Sequence, residues 1–315
     1  MTENPWVTKK NENGSNAREV TLNVGLNGKT IKILQLSDIH FHAINDLDRE
    51  ENNELVMASY DDPILWLKDG ASLPRLQNCL QAAGEVDQIV VTGDSLSYLS
   101  HGGLELLKKN IFEPYPDALV CVGNHDPLRC WNAKVDESET LGERLSILQK
   151  YWPHDIYYTS KILEDQVMLI QLENASLIDY GKGGFWDCQI EPFSRDLALA
   201  REKGYAVLLF YHVPIATMDT RFRETAPCGP RGRVENYCDP SKHVLAWEKG
   251  AAKEIMTLVA RYSDVIKGAF CGHMHGDHYT EFTLTDESGK ERIIPQYVIT
   301  AVPHDKGSYL LLTLQ

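Results

Sequence analysis

Residues 30–40 read "TIKILQLSDIH", a short run of isoleucine and leucine that stops at Asp38 and His40. Such a run, too short for a helix and rich in β-branched residues, predicts a buried strand. The aspartate and histidine directly after it put two metal-competent groups at the strand's carboxyl end. The same punctuation recurs down the chain: "DQIVVTG" (87–93) ends at Asp94, "DALVCVG" (117–123) ends at Asn124, and "AVLLFYH" (206–212) ends at His212. A fifth run, "VIKGAFCGH" (265–273), opens the histidine-rich "CGHMHGDH" (271–278).

Between these runs lie segments with helix-like apolar spacing: "LPRLQNCLQAAGE" (73–85), "GGLELLKKNIF" (102–112), a stretch at about 191–203 and a longer one at about 243–262. Alternation of this kind is βαβ punctuation. A further buried strand is expected at "QVMLIQLEN" (166–174), and the chain closes with "HYTEFTLTD", "RIIPQYVIT" and "SYLLLTLQ". Joined by hairpin-length turns, those last three read as successive antiparallel strands. The order fits an α/β fold: a four-layer αββα sandwich of two mixed β-sheets packed together and flanked by helices, with the site at the strand C-terminal ends. Residues 1–20 read as a flexible polar tail and 21–315 as a single domain, with no internal repeat.

Composition narrows the class. Hydrophobic residues make up 43% of the 315 and charged residues 24%, which is ordinary for a globular chain. A formal charge of −14 makes the average surface repel phosphate backbones, so no nucleic-acid polymer or anionic membrane is expected as partner. No apolar run approaches the ~18 to 20 residues of a membrane span or forms a leader, so a cytoplasmic location is expected. Seven cysteines without CxxC spacing favour free thiols in a reducing compartment, with a Cys228–Cys238 loop disulfide as the alternative. Two long irregular segments, 42–72 and 213–242, follow strand ends and are expected to rim a cleft.

Taken singly, each polar strand end is commonplace: Gly-Asp is a frequent turn, and "CGHMHGDH" alone reads equally as a compact zinc site, half of a larger centre or a polar turn. Jointly they are specific, because open sheets gather their carboxyl strand ends in one crevice. In extended chain, residues i and i+2 share a face, which would group His273 with His275 around Met274, and Asp38 with His40 around Ile39.

Asp-x-His, Gly-Asp, Gly-Asn-His-Asp, a single His and Gly-His-x-His, in that order from about 31 to 280, closely resemble the calcineurin-like metallophosphoesterases. The resemblance implies two metal ions, with Asp38, His40 and His275 on the first, Asn124, His212 and His273 on the second, and Asp94 bridging. Carboxylate, amide and imidazole donors suit Mn²⁺, iron or Zn²⁺. The implied reaction is hydrolysis of a small phosphoester by a hydroxide shared between the ions. His125 would be the general acid; Asp126 would orient it or else cap the turn before Pro127. His42, Arg221, Arg223, Arg231 and Arg233 are candidate substrate contacts, or else solvated loop groups; His278 has the same two readings. Asp94 is not followed by the Asp-Arg-Gly run of protein serine/threonine phosphatases. Tyr98 lies four residues after it, where purple acid phosphatases have a tyrosine at three, and those enzymes lack an equivalent of His40. The phosphodiesterase-type branch is the remaining expectation. A phosphomonoesterase and a non-catalytic scaffold of this fold are its alternatives, and oligomeric state is left open.

Overall fold

The computed structural model describes residues 5–61, 72–130, 140–175, 184–215 and 250–315. In chain order the strands are β1 (Val7–Lys10), β2 (Asn16–Leu22), β3 (Ile31–Leu36), β4 (Gln88–Val91), β5 (Leu119–Val120), β6 (Tyr158–Leu163), β7 (Val167–Leu172), β8 (Ala206–Phe210), β9 (Ile266–Cys271), β10 (His278–Thr285), β11 (Glu291–Val298) and β12 (Ser308–Leu314). They form two six-stranded mixed sheets, ordered β1-β2-β12-β3-β4-β5 and β10-β11-β9-β8-β7-β6. The helices are α1 (Asp46–Glu51), α2 (Glu54–Asp61), α3 (Ser72–Ala83), α4 (His101–Leu107), α5 (Leu141–Tyr151), α6 (Ile190–Lys203) and α7 (Gly250–Arg261).

Side-chain alternation on the strands creates the layers. Ile31 and Ile33 of β3 meet Leu169, Phe210 and Phe270 of the second sheet in the core between the sheets. On the other face of β3, Leu34 and Leu36 pack with Leu76 of α3, Leu104 of α4 and Leu148 of α5. Sheet two buries Met168, Ile170 and Leu209 against Phe193 and Leu197 of α6 and Ile255 and Val259 of α7. These three apolar clusters define the expected αββα order. The parallel strands β3, β4 and β5 on one sheet and β7, β8 and β9 on the other send their carboxyl ends to the same side, as the strand-end argument requires.

Three expectations are corrected. The tail expected over 1–20 is replaced, over the described residues from 5 onward, by strands: β1 and β2 pair antiparallel, and β2 continues parallel to β12 from Asn16↔Ser308 to Leu22↔Leu314. The polar reading missed them because β1 is an exposed edge and β2 buries only Ala17, Arg18 and Val20. The closing strands are not one meander. β10 and β11 pair antiparallel, but β12 crosses to the first sheet and lies antiparallel to β3. Residues 299–307 between them are longer than a hairpin turn, and β12 buries side chains on both faces, as an inner strand must. Residues 42–72 are not wholly irregular, because α1 and α2 occupy part of them. Asn45 caps α1 by accepting from the Asp48 N–H, while the Asp48 carboxylate accepts from the Asn45 N–H, the reciprocal arrangement that starts a helix. Most of the 213–242 segment lies outside the described residues, as does the start of the helix expected from 243.

Candidate metal centre

The strand ends converge into one buried cluster. Donor atoms of Asp38, His40, Asp94 and His275 all lie within 4.8 Å of one another, and so do those of Asp94, His212 and His273. Asp94 belongs to both groups. Its Oδ2 is 3.2 Å from His212 Nε2 and 3.7 Å from His40 Nε2, while its Oδ1 accepts the backbone N–H of His125 at 2.8 Å. One carboxylate oxygen therefore faces both groups and the other is held by the chain. Asn124 Oδ1 is 3.2 Å from His212 Nε2, which adds an amide oxygen to the second group.

Backbone conformation is part of the construction. Asp38, His40, Asp94, His273 and His275 have φ of 52°, 53°, 50°, 70° and 52°. They are five of the nine non-glycine residues with positive φ among the described residues. The left-handed region costs an L-residue roughly 1–2 kcal/mol, so it persists only where surroundings enforce it. Here the enforcers are loop-to-loop bonds: Asp38 N–H to Gly93 O (3.0 Å), His40 N–H to Asp94 O (2.9 Å) and Gly272 N–H to His212 O (3.0 Å). The extended chain expected around His273 and His275 is replaced by these left-handed turns. Met274 still points away from the cluster, into the apolar layer beneath sheet two.

Glycine precedes three of the ligand positions because the loops touch. A β-carbon at Gly123 would lie 2.1 Å from the backbone nitrogen of Asp94 and one at Gly272 would lie 1.7 Å from Ser37 Oγ. Gly123→Ala must push the Asp94 loop away, and should cost about 2–4 kcal/mol of stability and empty the metal centre. Denaturant titration with parallel metal analysis checks this; unchanged values for both would refute the close approach.

Hydrogen bonds aim the donors. Thr92 O lies 2.7 Å from His212 Nδ1, so that nitrogen carries a proton and Nε2 is the nitrogen that faces the cluster. Ser37 Oγ donates to Asp38 Oδ2 at 2.5 Å, and the His273 N–H donates to the same oxygen at 3.0 Å. Burial opposes ionisation of Asp38, yet the adjacent His275 imidazole prevails and holds its carboxyl at about 2. Burial lowers His273 to about 3, whereas in His212 burial is outweighed by the Asp94 carboxylate, which raises it to about 9. The buried carboxylates thus favour positive charge in the middle of the cluster. His40 Nε2 faces His275 Nε2 at 3.2 Å, and His273 Nδ1 faces His212 Nε2 at 3.3 Å. Opposed imidazole nitrogens repel unless a cation or proton lies between them, so the donor set fits divalent metals.

Two residues flank the ligands. The His125 ring lies 4.9 Å from that of His40, and its Nδ1 is 3.1 Å from Ser97 O. Asp126 does not meet that ring nitrogen: its Oδ1 accepts from Leu96 N–H (2.8 Å) and its Oδ2 from Gly123 N–H (2.6 Å). Full burial, with Asp94 adding to it, pushes the Asp126 carboxyl up to about 8. The orienting partner expected of Asp126 is thus the carbonyl of Ser97, a backbone group that no side-chain pattern reveals. The second flank, His304, went unread in the sequence as a histidine in a polar turn; its ring lies 6.2 Å from His275.

Other candidates fall elsewhere. His42 stacks on Tyr60 with ring centroids 5.7 Å apart and lies edge-on to Tyr98 at 5.2 Å, beside α2. Tyr98 is wholly buried. Asp277 pairs with Arg18 of β2 and accepts the Thr300 N–H at 3.1 Å, so it joins the two sheets. His278 opens β10 and is buried. Arg221, Arg223, Arg231, Arg233, Cys228 and Cys238 lie outside the described residues, and the five described cysteines are free thiols. A shallow cavity of about 790 Å³, lined in part by Lys32, Gln88 and Tyr115, sits at the amino ends of β3 and β4, away from the cluster.

The calcineurin-like phosphoesterase profile matches residues 31–277, which span all seven ligand candidates, and the chain belongs to that family. It is accordingly a metal-dependent phosphoric ester hydrolase, and its carboxylate–imidazole cluster fits a dinuclear divalent-metal site. Among solved structures it is similar to a dimetal phosphatase from Danio rerio, at 13% identity and a TM-score of 0.40, over 87% of this chain and 90% of that one. It is also similar to PhoD, at 9% identity and a TM-score of 0.49, over 92% of this chain and 59% of that one. A metallophosphoesterase from Sphaerobacter thermophilus matches at 12% identity and a TM-score of 0.28, over 85% and 76%. No curated protein shows significant sequence similarity to the chain. Among the described residues, no helix is long and apolar enough to cross a membrane.

Proposed function

We propose that the chain hydrolyses a small phosphodiester, of nucleotide-like or lipid head-group-like chemistry, at a two-metal centre. The observation that carries the reading is Asp94, whose Oδ2 faces both ligand groups while its Oδ1 is tied to the backbone of His125. Asp38, His40 and His275 would hold one ion, Asn124, His212 and His273 the other, and Asp94 both. Mn²⁺, iron or Zn²⁺ suits these donors. Such a pair supplies charge neutralisation of the nonbridging phosphate oxygens and an activated water.

The chain's own residues do the rest. The Ser97 carbonyl accepts a hydrogen bond from His125 Nδ1–H, which leaves the Nε2–H of the imidazolium to deliver its proton to the departing alkoxide. Asp126 fixes the loop that carries His125 by joining the Leu96 and Gly123 amides, and acts through position rather than by touching substrate. His125 is 9% exposed, whereas Asp38, His40 and His212 are wholly buried, so it can meet an ester from outside.

Hydrolysis of bis-p-nitrophenyl phosphate compared with p-nitrophenyl phosphate, by protein loaded with Mn²⁺, tests the preference. The diester rate should exceed the monoester rate. A dominant monoester rate would favour a phosphomonoesterase of small metabolites, and no hydrolysis of any ester by metal-loaded protein would favour a scaffold.

A further inference from the structure

Three of the proposed ligands are wholly buried, so any part of a substrate beyond its phosphate must be read by residues at the rim. Two imidazoles that are not in the ligand set stand there beside different ligands. His125 neighbours His40, with ring centroids 4.9 Å apart, and His304 neighbours His275 at 6.2 Å. A phosphodiester likewise has two substituents, one that departs and one that stays on phosphorus. His304 is half-buried.

The segment that carries His304 is held at several points. Val302 N–H donates to Ser37 O at 3.0 Å, next to Asp38, and Thr300 N–H donates to Asp277 at 3.1 Å. Arg75 of α3 donates to Pro303 O, and His304 N–H closes a turn onto Ala301 O at 3.0 Å. A ring on so fixed a segment is placed beside the centre before substrate arrives, which is what selective contact needs. His304 lies beyond residues 31–277, the span that the family profile matches.

We infer that His304 is a specificity-determining residue, whose imidazole hydrogen-bonds a hydroxyl-bearing substituent, such as a sugar, that stays on phosphorus while His125 serves the departing group. This rests on the phosphodiesterase reading above. The test compares two esters with the same leaving group, thymidine 5′-(p-nitrophenyl phosphate) and methyl p-nitrophenyl phosphate, in wild type, His304→Ala and His304→Gln loaded with Mn²⁺. His304→Ala should lower kcat/KM for the thymidine ester about tenfold, mainly through KM, the scale of one lost hydrogen bond, and alter the methyl ester less than about twofold. His304→Gln, which keeps a donor, should recover part of the loss. Calorimetric binding of thymidine 5′-phosphate should weaken in parallel, while the metal content of both variants stays at the wild-type level. Equal losses on both esters, no loss on either, or loss of metal from His304→Ala would each overturn the inference and leave the hydrolase reading standing. If wild type cleaves neither ester, the phosphodiesterase reading falls and the inference with it.

Discussion

Asp94→Asn should strip both metals from the protein, although the amide matches the carboxylate in size. The native Oδ2 is the one oxygen facing both His212 and His40, and burial would favour its protonation were it not for His212, His125 and His40, which hold the carboxyl well below its usual range. An amide cannot supply that negative charge, and with its nitrogen at the Oδ2 position it would offer an N–H where two cations need a lone pair. Loss of a supporting residue around a metal typically costs 10–100-fold in affinity, and loss of a shared ligand should exceed about 100-fold for each ion. Asn124→Ala is the contrast, because Asn124 neighbours the His212 group alone and should empty one site. Metal analysis after dialysis reads both variants. Two retained equivalents in Asp94→Asn would end the assignment of Asp94 as the bridge.

His125→Ala should do the reverse, keeping both metals and losing rate. Its ring is held by the Ser97 carbonyl, and its contribution to the cluster is the backbone N–H on Asp94 Oδ1, which alanine retains. Loss of a general acid typically lowers kcat by about 10²–10⁴-fold. The loss should also depend on the leaving group: small for p-nitrophenolate, which departs without a proton, and large for an alkyl alkoxide, which does not. A series of aryl and alkyl esters therefore distinguishes proton donation from a structural role. A uniform loss across the series, or an emptied metal centre, would exclude His125 as the acid.

Much of this cluster was legible in the sequence because the candidate ligands are tied to the most readable features of the chain. Asp38, Asp94, Asn124, His212 and His273 each follow a short apolar run, and those runs are the buried parallel strands whose ends must meet. What could not be read was carried by backbone groups or by pairing partners distant in sequence. The carbonyl of Ser97 orients His125, and that of Thr92 fixes the His212 tautomer, yet neither depends on the identity of its side chain. The extended-chain argument grouped His273 with His275 by a geometry they lack, since their positive φ is imposed by contacts with other loops. β1 and β2 carry polar residues because they lie at or near a sheet edge, and so they mimicked a tail. His304 joined the centre only because the chain crosses from one sheet to the other just after β11, a route that hairpin logic would not choose.

That crossing has a consequence for how the protein is made. β12 is the partner of both β2 and β3, with Leu310 opposite Arg18 on one side and Gln35 on the other. During synthesis β3 is therefore formed long before its neighbour exists, and the first sheet remains split until β12 slides between β2 and β3. Closing so distant a pairing is slow. The nascent chain accordingly carries two unmatched strand edges, the usual substrate for chaperones and for misassembly between copies. The centre of this enzyme would then be completed only when β12 arrives, because the turn at His304 directly precedes the strand that locks the sheet.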